Sequence, residues 1–522
     1  MRIALVNEGT YPVNTGGVSS WSQGLIERMS EHEFHVVTLV GQERVPVWNR
    51  PANLASTTLV PMWDPAPRAR RSGHRRQRRR ITDAVGRLWR AILPADAGGA
   101  DLDGLRASLR DLAGGPRPLA SLLRPGASGR AVLEAWDRHR DARPHLPALT
   151  VDVATEAARH CERVLAALDA DVPEVDLIHA TSNGSAMLVA LARRWADGTP
   201  VILSEHGVYL RERYLALAAA GWDWVLRYLV MAFTRALCQL ACADADVLAP
   251  VSEFNARWEI RLGASADRIT VVPNGVEPER VGYLDSEPEM PTVVFLGRID
   301  PLKDLETLIA AFARVHERLP DARLRIFGPT PVGNEGYRAW LDQQVAARGL
   351  ADVVRFDGPT DGARPALEAG QVIALSSISE GMPFTVIEAM MSGRATVSTD
   401  VGGVAECAGR DGTCGIIVPA RDPDAMAEAL VQLLDDPDRR RRMGLAARGR
   451  ALERFAADEC VDTFRLLYRQ LSPVGGHGPG LGRAGVRQRR SAIPRPPAPV
   501  PFRPRGRRYA LPQVIDDPLK AC

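Results

Sequence analysis

Residues 372–398 read VIALSSISEGMPFTVIEAMMSGRATVS, and their pattern indicates the fold class. It begins with a short apolar run at 372–375, passes through a loop that contains Gly and Pro, and continues into a helix-length segment. A second β-branched run follows at 395–398. Strand, loop, helix and strand in this order form the repeating unit of a parallel sheet with helices on its faces. The stretch therefore predicts a doubly wound α/β domain.

The same unit recurs on both sides of residues 279–291, ERVGYLDSEPEMP, whose composition is that of a linker. Candidate strands before this linker are the short runs at 2–6, 35–40, 176–179, 200–204, 246–251 and 269–272. Those after it lie at 292–296, 323–327, 353–356, 372–375, 395–398 and 415–418. We therefore predict two parallel-sheet domains of the α/β class.

The domain boundaries follow from this pattern. We expect a first domain at 1–285, a second domain at 290–450, and a C-terminal helix at 451–472 that returns to the first domain. Residues 64–150 predict a basic, helical insertion with a mobile start, which carries the arginines 68, 70, 71, 75, 76, 78, 79 and 80. Residues 473–522 are rich in Pro, Gly and Arg, which predicts a disordered tail. We favour solvated segments over contacts with anionic lipid or an acidic partner.

Composition favours a soluble protein of the cytoplasm. Of the 522 residues, 45% are hydrophobic and 25% are charged, while the formal net charge of +3 says little about partners. The N-terminal apolar run is too short for a signal peptide, and charges interrupt the richest apolar stretch, 222–243. Seven dispersed cysteines fit a reducing compartment, in which we expect Cys238 and Cys242 to be buried helix thiols.

Two adjacent glycines, Gly16 and Gly17, follow the first strand within EGTYPVNTGGVSSW at 8–21. Such glycines let the backbone approach a ligand closely, and the helix that starts after them offers free N–H groups. Open α/β sheets bind their ligands at this carboxyl end of the strands. Taken alone, the motif is explained equally well by a tight turn.

Gly297, Arg298 and Lys303 belong to GRIDPLK, which follows the first strand of the second domain. Arginine supplies a fork of donors and lysine a point charge. Together they suit the diphosphate of a nucleotide sugar, whose charge grows as the glycosidic bond breaks. Two surface cations near a turn are the alternative.

Glu380 and Glu388 bracket the helix start in the stretch quoted first. Pro383 lies near the first helical position, and the free N–H groups around Phe384 and Thr385 predict a phosphate site. The two carboxylates are expected on opposite sides of that phosphate site, where each can accept hydrogen bonds from sugar hydroxyls.

His206 ends a first-domain strand in SEHGVY, at an edge where it could contact a hydroxyl near the reacting centre. A histidine satisfied by the protein itself is the default interpretation. Three Asp-x-Asp pairs, at 101/103, 169/171 and 244/246, are interpreted as non-ligands. The glycines of 480–485 match a dinucleotide loop but have no strand before them.

Read in order, these motifs resemble the retaining glycosyltransferases of family 4, which have the GT-B fold of two facing Rossmann-like domains around a cleft. The resemblance is greatest to the PelF-type branch of exopolysaccharide glycosyltransferases. It is carried by EGTYPVNTGGVSSW (8–21), SEHGVYLRER (204–213), VPNGVE (272–277), GRIDPLKDLETLIAAF (297–312) and SISEGMPFTVIEAMMSGRATVSTDVGG (377–403). One departure is Asp304, because family members often have glycine after the lysine.

The resemblance implies roles for these positions. Arg298 and Lys303 would neutralise the diphosphate, Glu380 would hold the donor sugar, and Glu388 would hold the ribose. The implied catalytic set is Arg298, Lys303, Glu380 and His206. The implied donor-binding set is Gly16, Gly17, Gly297, Gly381, Met382, Pro383, Phe384, Thr385, Glu388 and Asn274. Family members use no metal, and no other cofactor is expected.

The function expected from this resemblance is transfer of a hexose, with retention, from a nucleotide-diphosphate sugar (UDP-glucose first) to a carbohydrate or lipid-linked sugar acceptor. Closure of the domains around 279–291 is expected. A membrane-bound polysaccharide synthase is a possible partner, which would place the protein at the inner face of the membrane, and no nucleic acid is expected. The alternatives are a nucleotide-sugar epimerase and a non-catalytic nucleotide-sugar-binding subunit.

Overall fold

The computed structural model describes residues 1–41, 45–62, 75–96, 98–115, 118–119, 122–123 and 125–472. The arginines at 68, 70 and 71, like the whole of 473–522, lie outside the described residues. Two parallel six-stranded sheets organise the described part, one in each half of the chain. The predicted architecture of two parallel-sheet α/β domains is therefore confirmed.

The first sheet has the strand order β3-β2-β1-β4-β5-β6. Its strands are β1 (Arg2–Glu8), β2 (Glu33–Val40), β3 (Leu54–Pro61), β4 (Leu177–Ala180), β5 (Val201–Leu203) and β6 (Val247–Leu248). Its helices are α1 (Gly17–Arg28), α2 (Arg75–Ile92), α3 (Leu102–Ala113), α4 (Pro125–Asp141), α5 (Val151–Leu165), α6 (Ser185–Asp197), α7 (Tyr209–Ala219), α8 (Trp224–Asp244) and α9 (Glu253–Arg261). The order reverses between β1 and β4, which opens a crevice at the carboxyl ends of these strands.

The second sheet has the order β12-β11-β10-β7-β8-β9 and reverses between β7 and β10. After α10 (Pro278–Val281), its strands are β7 (Thr292–Leu296), β8 (Arg323–Phe327), β9 (Val354–Gly358), β10 (Val372–Leu375), β11 (Ala395–Thr399) and β12 (Ile416–Val418). Its helices are α11 (Leu305–Arg318), α12 (Glu335–Ala347), α13 (Arg364–Glu368), α14 (Phe384–Ser392), α15 (Val404–Ala408), α16 (Pro423–Asp435) and α17 (Pro437–Arg454).

Two strand predictions differ from the structure. The strand β3 was not predicted, because LASTTLVP is only partly buried at the sheet edge and carries no continuous apolar run. The predicted strand at 269–272 is not a regular strand: it forms one isolated parallel bridge, between Leu248 and Ile269. It lies beside β6, which is itself only two residues long.

The described part of the 64–150 insertion is helical and belongs to the first-domain core. Apolar faces of α2, α3 and α4 bury Leu88, Trp89, Leu109 and Trp136 against one cluster that includes Phe233 of α8. Arginines populate the opposite face of α2, which makes the helix strongly amphipathic.

By length and composition α8 is the one helix, within the described ranges, that could cross a membrane, and 67% of its apolar window is buried inside the protein. Phe233, Leu237 and Leu240 pack in the first-domain core. Cys238 and Cys242 are fully buried on the same helix, and this burial raises the pKa of both thiols.

The chain crosses between the domains twice, and the two crossings lie side by side. Val276 and Ala456 form a parallel bridge. The Val276 N–H donates to the Phe455 carbonyl, and the Ala457 N–H donates to the Val276 carbonyl. A Cβ at Gly275 would lie 2.6 Å from the Cα of Ala457, so glycine permits this approach.

Residues 279–291, predicted to be the linker, pack on the second domain instead. Leu284 lies in a hydrophobic cluster of the second domain, and its N–H donates to the Ser392 carbonyl. Glu287 pairs with Arg440 through two hydrogen bonds of 2.9 and 2.6 Å. These contacts place the crossing near residue 276, upstream of the predicted boundary at 285.

A final helix, α18 (Ala457–Gln470), returns to the first domain, while 451–454 belong to the end of α17. Its Phe464 and Tyr468 pack with Trp21 in a first-domain cluster. The Tyr468 hydroxyl is 2.7 Å from Nδ1 of the buried His179 on β4. The helix therefore attaches the end of the second domain to the first.

We predict that Phe464→Ala lowers the free energy of unfolding by about 3–5 kcal/mol, because a fully buried ring is removed. Leu466→Ala on the same helix is the control, since this side chain is 46% exposed and should change stability by less than about 1 kcal/mol. Urea denaturation of both variants measures the difference. Equal stabilities would contradict the assigned packing of α18.

Candidate active site

The loop after β7 presents the predicted basic residues. Lys303 ends a short 3-10 turn, Pro301–Lys303, which Asp300 caps by accepting from the Leu302 N–H at 2.9 Å. Gly297 is held by its N–H bond to Phe327. Arg298 is exposed and makes no hydrogen bond or ion pair with the described residues. Its guanidinium is therefore available to a ligand.

Asp304 has a left-handed backbone conformation, with φ of +48°. At the same time it caps α11, since its carboxylate accepts from the Thr307 hydroxyl at 2.8 Å and the Thr307 N–H at 3.3 Å. Burial raises the pKa of Asp304 to about 7. The positive φ explains why glycine suits this position in the resembling family, and the cap explains why aspartate does too.

Lys303 and Glu380, assigned separate roles from sequence, form one ion pair. The Lys303 Nζ lies 2.5 Å from the Glu380 Oε1, and the Ser377 hydroxyl donates to the same oxygen at 2.6 Å. Both side chains are mostly enclosed, with 20% and 11% exposed. One carboxylate oxygen is thus occupied, and Oε2 remains for a ligand.

The start of α14 has the features of a phosphate site. Pro383 is its N-cap and supplies no side-chain cap, so the first N–H groups of the helix are not satisfied by a capping side chain. Thr385 donates its hydroxyl to the Leu296 carbonyl at 3.0 Å, which fixes the helix start against β7. The Met382 carbonyl accepts from the Asn274 amide at 2.8 Å. Anions bind favourably at such helix starts.

Glu388 lies inside α14, one turn beyond the phosphate site. It has no hydrogen-bond or ion-pair partner in the described part of the chain, and burial raises its pKa to about 7, with Arg280 acting in the opposite direction. An enclosed carboxylate without a protein partner is suited to accept hydrogen bonds from a ligand's hydroxyls.

The Gly16–Gly17 loop faces the second domain. A Cβ at Gly17 would lie 2.7 Å from Cδ2 of Phe384, the first residue of α14. Gly16, with φ of +153°, is the N-cap of α1 and provides no side-chain cap. The glycines therefore let the first-domain backbone approach the phosphate site closely.

His206 lies on the first-domain wall, with its ring edge-on to Trp21 at 4.5 Å between centroids. Burial lowers its pKa to about 4, and the nearby Asn274 side chain acts in the opposite direction. The ring is therefore neutral at pH 7. The backbone carbonyl of His206 faces Gly381, where a Cβ would lie only 1.8 Å from the carbonyl oxygen.

Several residues between the domains were not predicted as functional. Arg211 on α7 donates to the Ser379 hydroxyl and, at 3.0 Å, to the Ile378 carbonyl across the cleft. Glu406 of α15 accepts from the first two N–H groups of α9, at 2.8 and 2.9 Å. The only sequence signal for Arg211 is its place in SEHGVYLRER, since its partners depend on how the domains pack.

Aspartates of the Asp-x-Asp pairs 101/103 and 244/246 engage protein groups. Asp101 caps α3, Asp244 accepts from Arg106 at 2.7 Å, and Asp246 pairs with Arg194. No group of three or more His, Cys, Asp or Glu side chains that could hold a metal ion is found among the described residues.

Solved structures share this fold. Anabaena HepE in complex with UDP and glucose superimposes with a TM-score of 0.56 at 15% identity, covering 90% of this chain and 99% of that one. Sucrose-phosphate synthase from Thermosynechococcus elongatus gives a TM-score of 0.59 at 19% identity, with coverages of 90% and 98%. The fold is that of the GT-B glycosyltransferases.

Family comparisons agree with this class. The chain belongs to the family described as "Domain of unknown function (DUF3492)", which matches residues 1–267, and its second domain matches "Glycosyl transferases group 1" over residues 290–436. The second half of the chain thus carries a group 1 glycosyltransferase domain, and its first half carries the DUF3492 domain.

Curated relatives carry glycosyltransferase names. D-inositol 3-phosphate glycosyltransferase of Nocardia farcinica is 36% identical over 220 residues, or 39% of this chain and 48% of the relative. The protein of that name from Stackebrandtia nassauensis is 30% identical over 339 residues, 60% and 71% of the two chains. Alpha-maltose-1-phosphate synthase of Mycolicibacterium smegmatis is 29% identical over 300 residues, 53% and 74%. The chain thus spans about half the length of the first of these.

We predict that Asp304→Ala destabilises the protein by about 2 kcal/mol, because it loses the cap and places a Cβ residue at positive φ. Asp304→Gly is the matched control and should cost only a few tenths of a kcal/mol, since glycine adopts this φ freely and is tolerated at an N-cap. Chemical denaturation compares them. An alanine variant as stable as the glycine variant would show that the backbone conformation is assigned incorrectly.

Proposed function

We propose that the protein is a retaining, metal-independent hexosyltransferase that moves a hexose from a nucleotide-diphosphate sugar to a carbohydrate or lipid-linked sugar acceptor. UDP-glucose is the first candidate donor. The observation that carries the proposal is the Lys303–Glu380 pair beside the uncapped start of α14. In this arrangement the ammonium group of Lys303, the carboxylate of Glu380 and the free N–H groups of α14 lie in one part of the cleft.

These groups match the parts of the donor. The start of α14, Lys303 and the exposed Arg298 suit the diphosphate, whose charge grows on departure. Glu380 keeps one oxygen for hydroxyls of the sugar. Glu388, which has no partner among the described residues, suits the ribose hydroxyls.

The reaction breaks the bond between the anomeric carbon and the β-phosphate oxygen and forms a bond from that carbon to the acceptor oxygen. In the proposed retaining course, the acceptor hydroxyl attacks from the face that the diphosphate leaves. Its proton passes to the departing phosphate oxygen, so that the products are the glycoside and the nucleoside diphosphate. Neutral His206, beside the interdomain contact, suits a hydrogen bond to the sugar.

The biological setting is proposed from the PelF-type resemblance. We propose a role in extracellular polysaccharide or glycoconjugate synthesis, on the cytoplasmic side. The arginine-rich face of α2 supports peripheral attachment near a membrane-bound synthase partner.

The direct test follows free nucleotide released from a panel of nucleotide-sugars, without acceptor and with EDTA present. We expect slow release from UDP-glucose, or from one other donor, that is lost in Glu380→Ala. No release from any donor, together with tight UDP binding by calorimetry, would contradict an active transferase site and favour a nucleotide-sugar-binding subunit. Release of a free altered sugar, together with UDP, would favour an epimerase.

We predict that Lys303→Ala lowers this turnover about 100- to 1000-fold, since one preorganised charge partner of the leaving diphosphate is lost. The melting temperature should fall by only a few degrees, because Glu380 keeps its hydrogen bond from the Ser377 hydroxyl. Arg318→Ala, which removes an exposed ion pair with Glu428, is the control and should leave turnover unchanged. Unchanged turnover in Lys303→Ala would remove Lys303 from the site.

A further inference from the structure

A second unpaired carboxylate lies in the cleft, and it comes from the first domain. Glu212 is in the first turn of α7, next to Arg211, whose guanidinium crosses to Ser379 and Ile378. This crossing fixes the first turn of α7 directly opposite the loop that carries Glu380. The sequence pattern alone did not predict Glu212 as a site residue.

The Glu212 carboxylate lies over Gly207. A Cβ at Gly207 would be 1.9 Å from the Glu212 Oε1, so this oxygen occupies the space that any other residue's side chain would fill. Gly207 follows His206, whose carbonyl approaches Gly381. The carboxylate is therefore adjacent to a close backbone contact between the two domains.

The other carboxylates of this region are occupied to different degrees. Glu380 is bound by Lys303 and Ser377, and Glu8, at the end of β1, is bound by Arg213 and by the Tyr209 hydroxyl. Glu212 accepts no hydrogen bond and forms no ion pair with any side chain in the described ranges, and it is exposed to the cleft. Glu388, the proposed ribose ligand, likewise has no hydrogen-bond or ion-pair partner among the described residues.

The charges that face Glu212 come from both domains. Partial removal from water raises its pKa to about 6; Arg213, Arg211 and Arg298 act to lower this pKa, and Glu380 acts to raise it. The carboxylate is therefore ionised above pH 6 and accepts hydrogen bonds there. Arg298 and Glu380 are donor-site residues, so Glu212 lies within electrostatic range of the reacting sugar.

We infer that Glu212 is a further substrate-binding residue, which accepts a hydrogen bond from the attacking hydroxyl and orients it toward the anomeric carbon. The inference rests on the proposed transferase function. It names the class of group bound, a sugar hydroxyl of the acceptor, or water when no acceptor is present. Glu212 takes up no proton in this role, since the proton passes to the departing phosphate.

The test compares wild type, Glu212→Gln and the surface control Glu156→Gln in acceptor-free hydrolysis of UDP-glucose, or of the donor that the panel identifies. We expect Glu212→Gln to lower kcat about 10- to 100-fold, as for loss of one hydrogen bond to a charged group, with KM and UDP affinity changed less than about twofold. The wild-type kcat should fall as the pH drops through about 6, and this fall should be weaker in Glu212→Gln, in which Glu388, with a pKa of about 7, still titrates.

Two results would overturn the inference. A kcat and an acid limb equal to wild type would show that Glu212 does not orient the nucleophile. A loss of UDP affinity equal to the loss of kcat would show a role in holding the donor instead. Failure of the proposed function is a different observation, because wild-type protein would then release no nucleotide from any donor, and the inference would fall with it.

Discussion

The contact on which the site depends is the approach of two backbones, Gly381 in the second domain and the His206 carbonyl in the first. No Cβ fits between them. The contact brings the loop with Glu380 against the loop that ends in α7, and Arg211 then bonds across it. The charged groups proposed to hold the donor belong to the second domain, and this contact brings His206 and Glu212 of the first domain against them.

The two places where the chain crosses between the domains also lie close together. The two chain crossings are hydrogen-bonded to each other near Val276 and Ala456, and 279–291 is fixed to the second domain. We therefore expect any closure of the domains to be concentrated at two adjacent points rather than along a flexible linker. After the second crossing, α18 attaches residues 457–470 to the first domain through Phe464 and Tyr468.

How much the sequence predicts depends on whether a feature is local. Strands β7, β8 and β10 begin and end where their buried apolar runs predict, whereas β3 has a mixed edge pattern that periodicity does not reveal. The helix start at Phe384 is encoded locally by Pro383. The positions of Arg211 and Glu212 are not, because their surroundings arise only when two domains pack together, as in the contact of Arg211 with Ser379, 168 residues further along the chain.

If the backbone contact between the domains builds the site, Gly381→Ala should differ from Gly336→Ala, which changes a helical glycine with open space around it. The measurement is donor hydrolysis at saturating UDP-glucose. We predict a loss of about 100-fold in Gly381→Ala, because displacing the domains by about 1 Å misaligns the reacting groups, and no loss in Gly336→Ala. Equal, undiminished turnover in both variants would contradict the account.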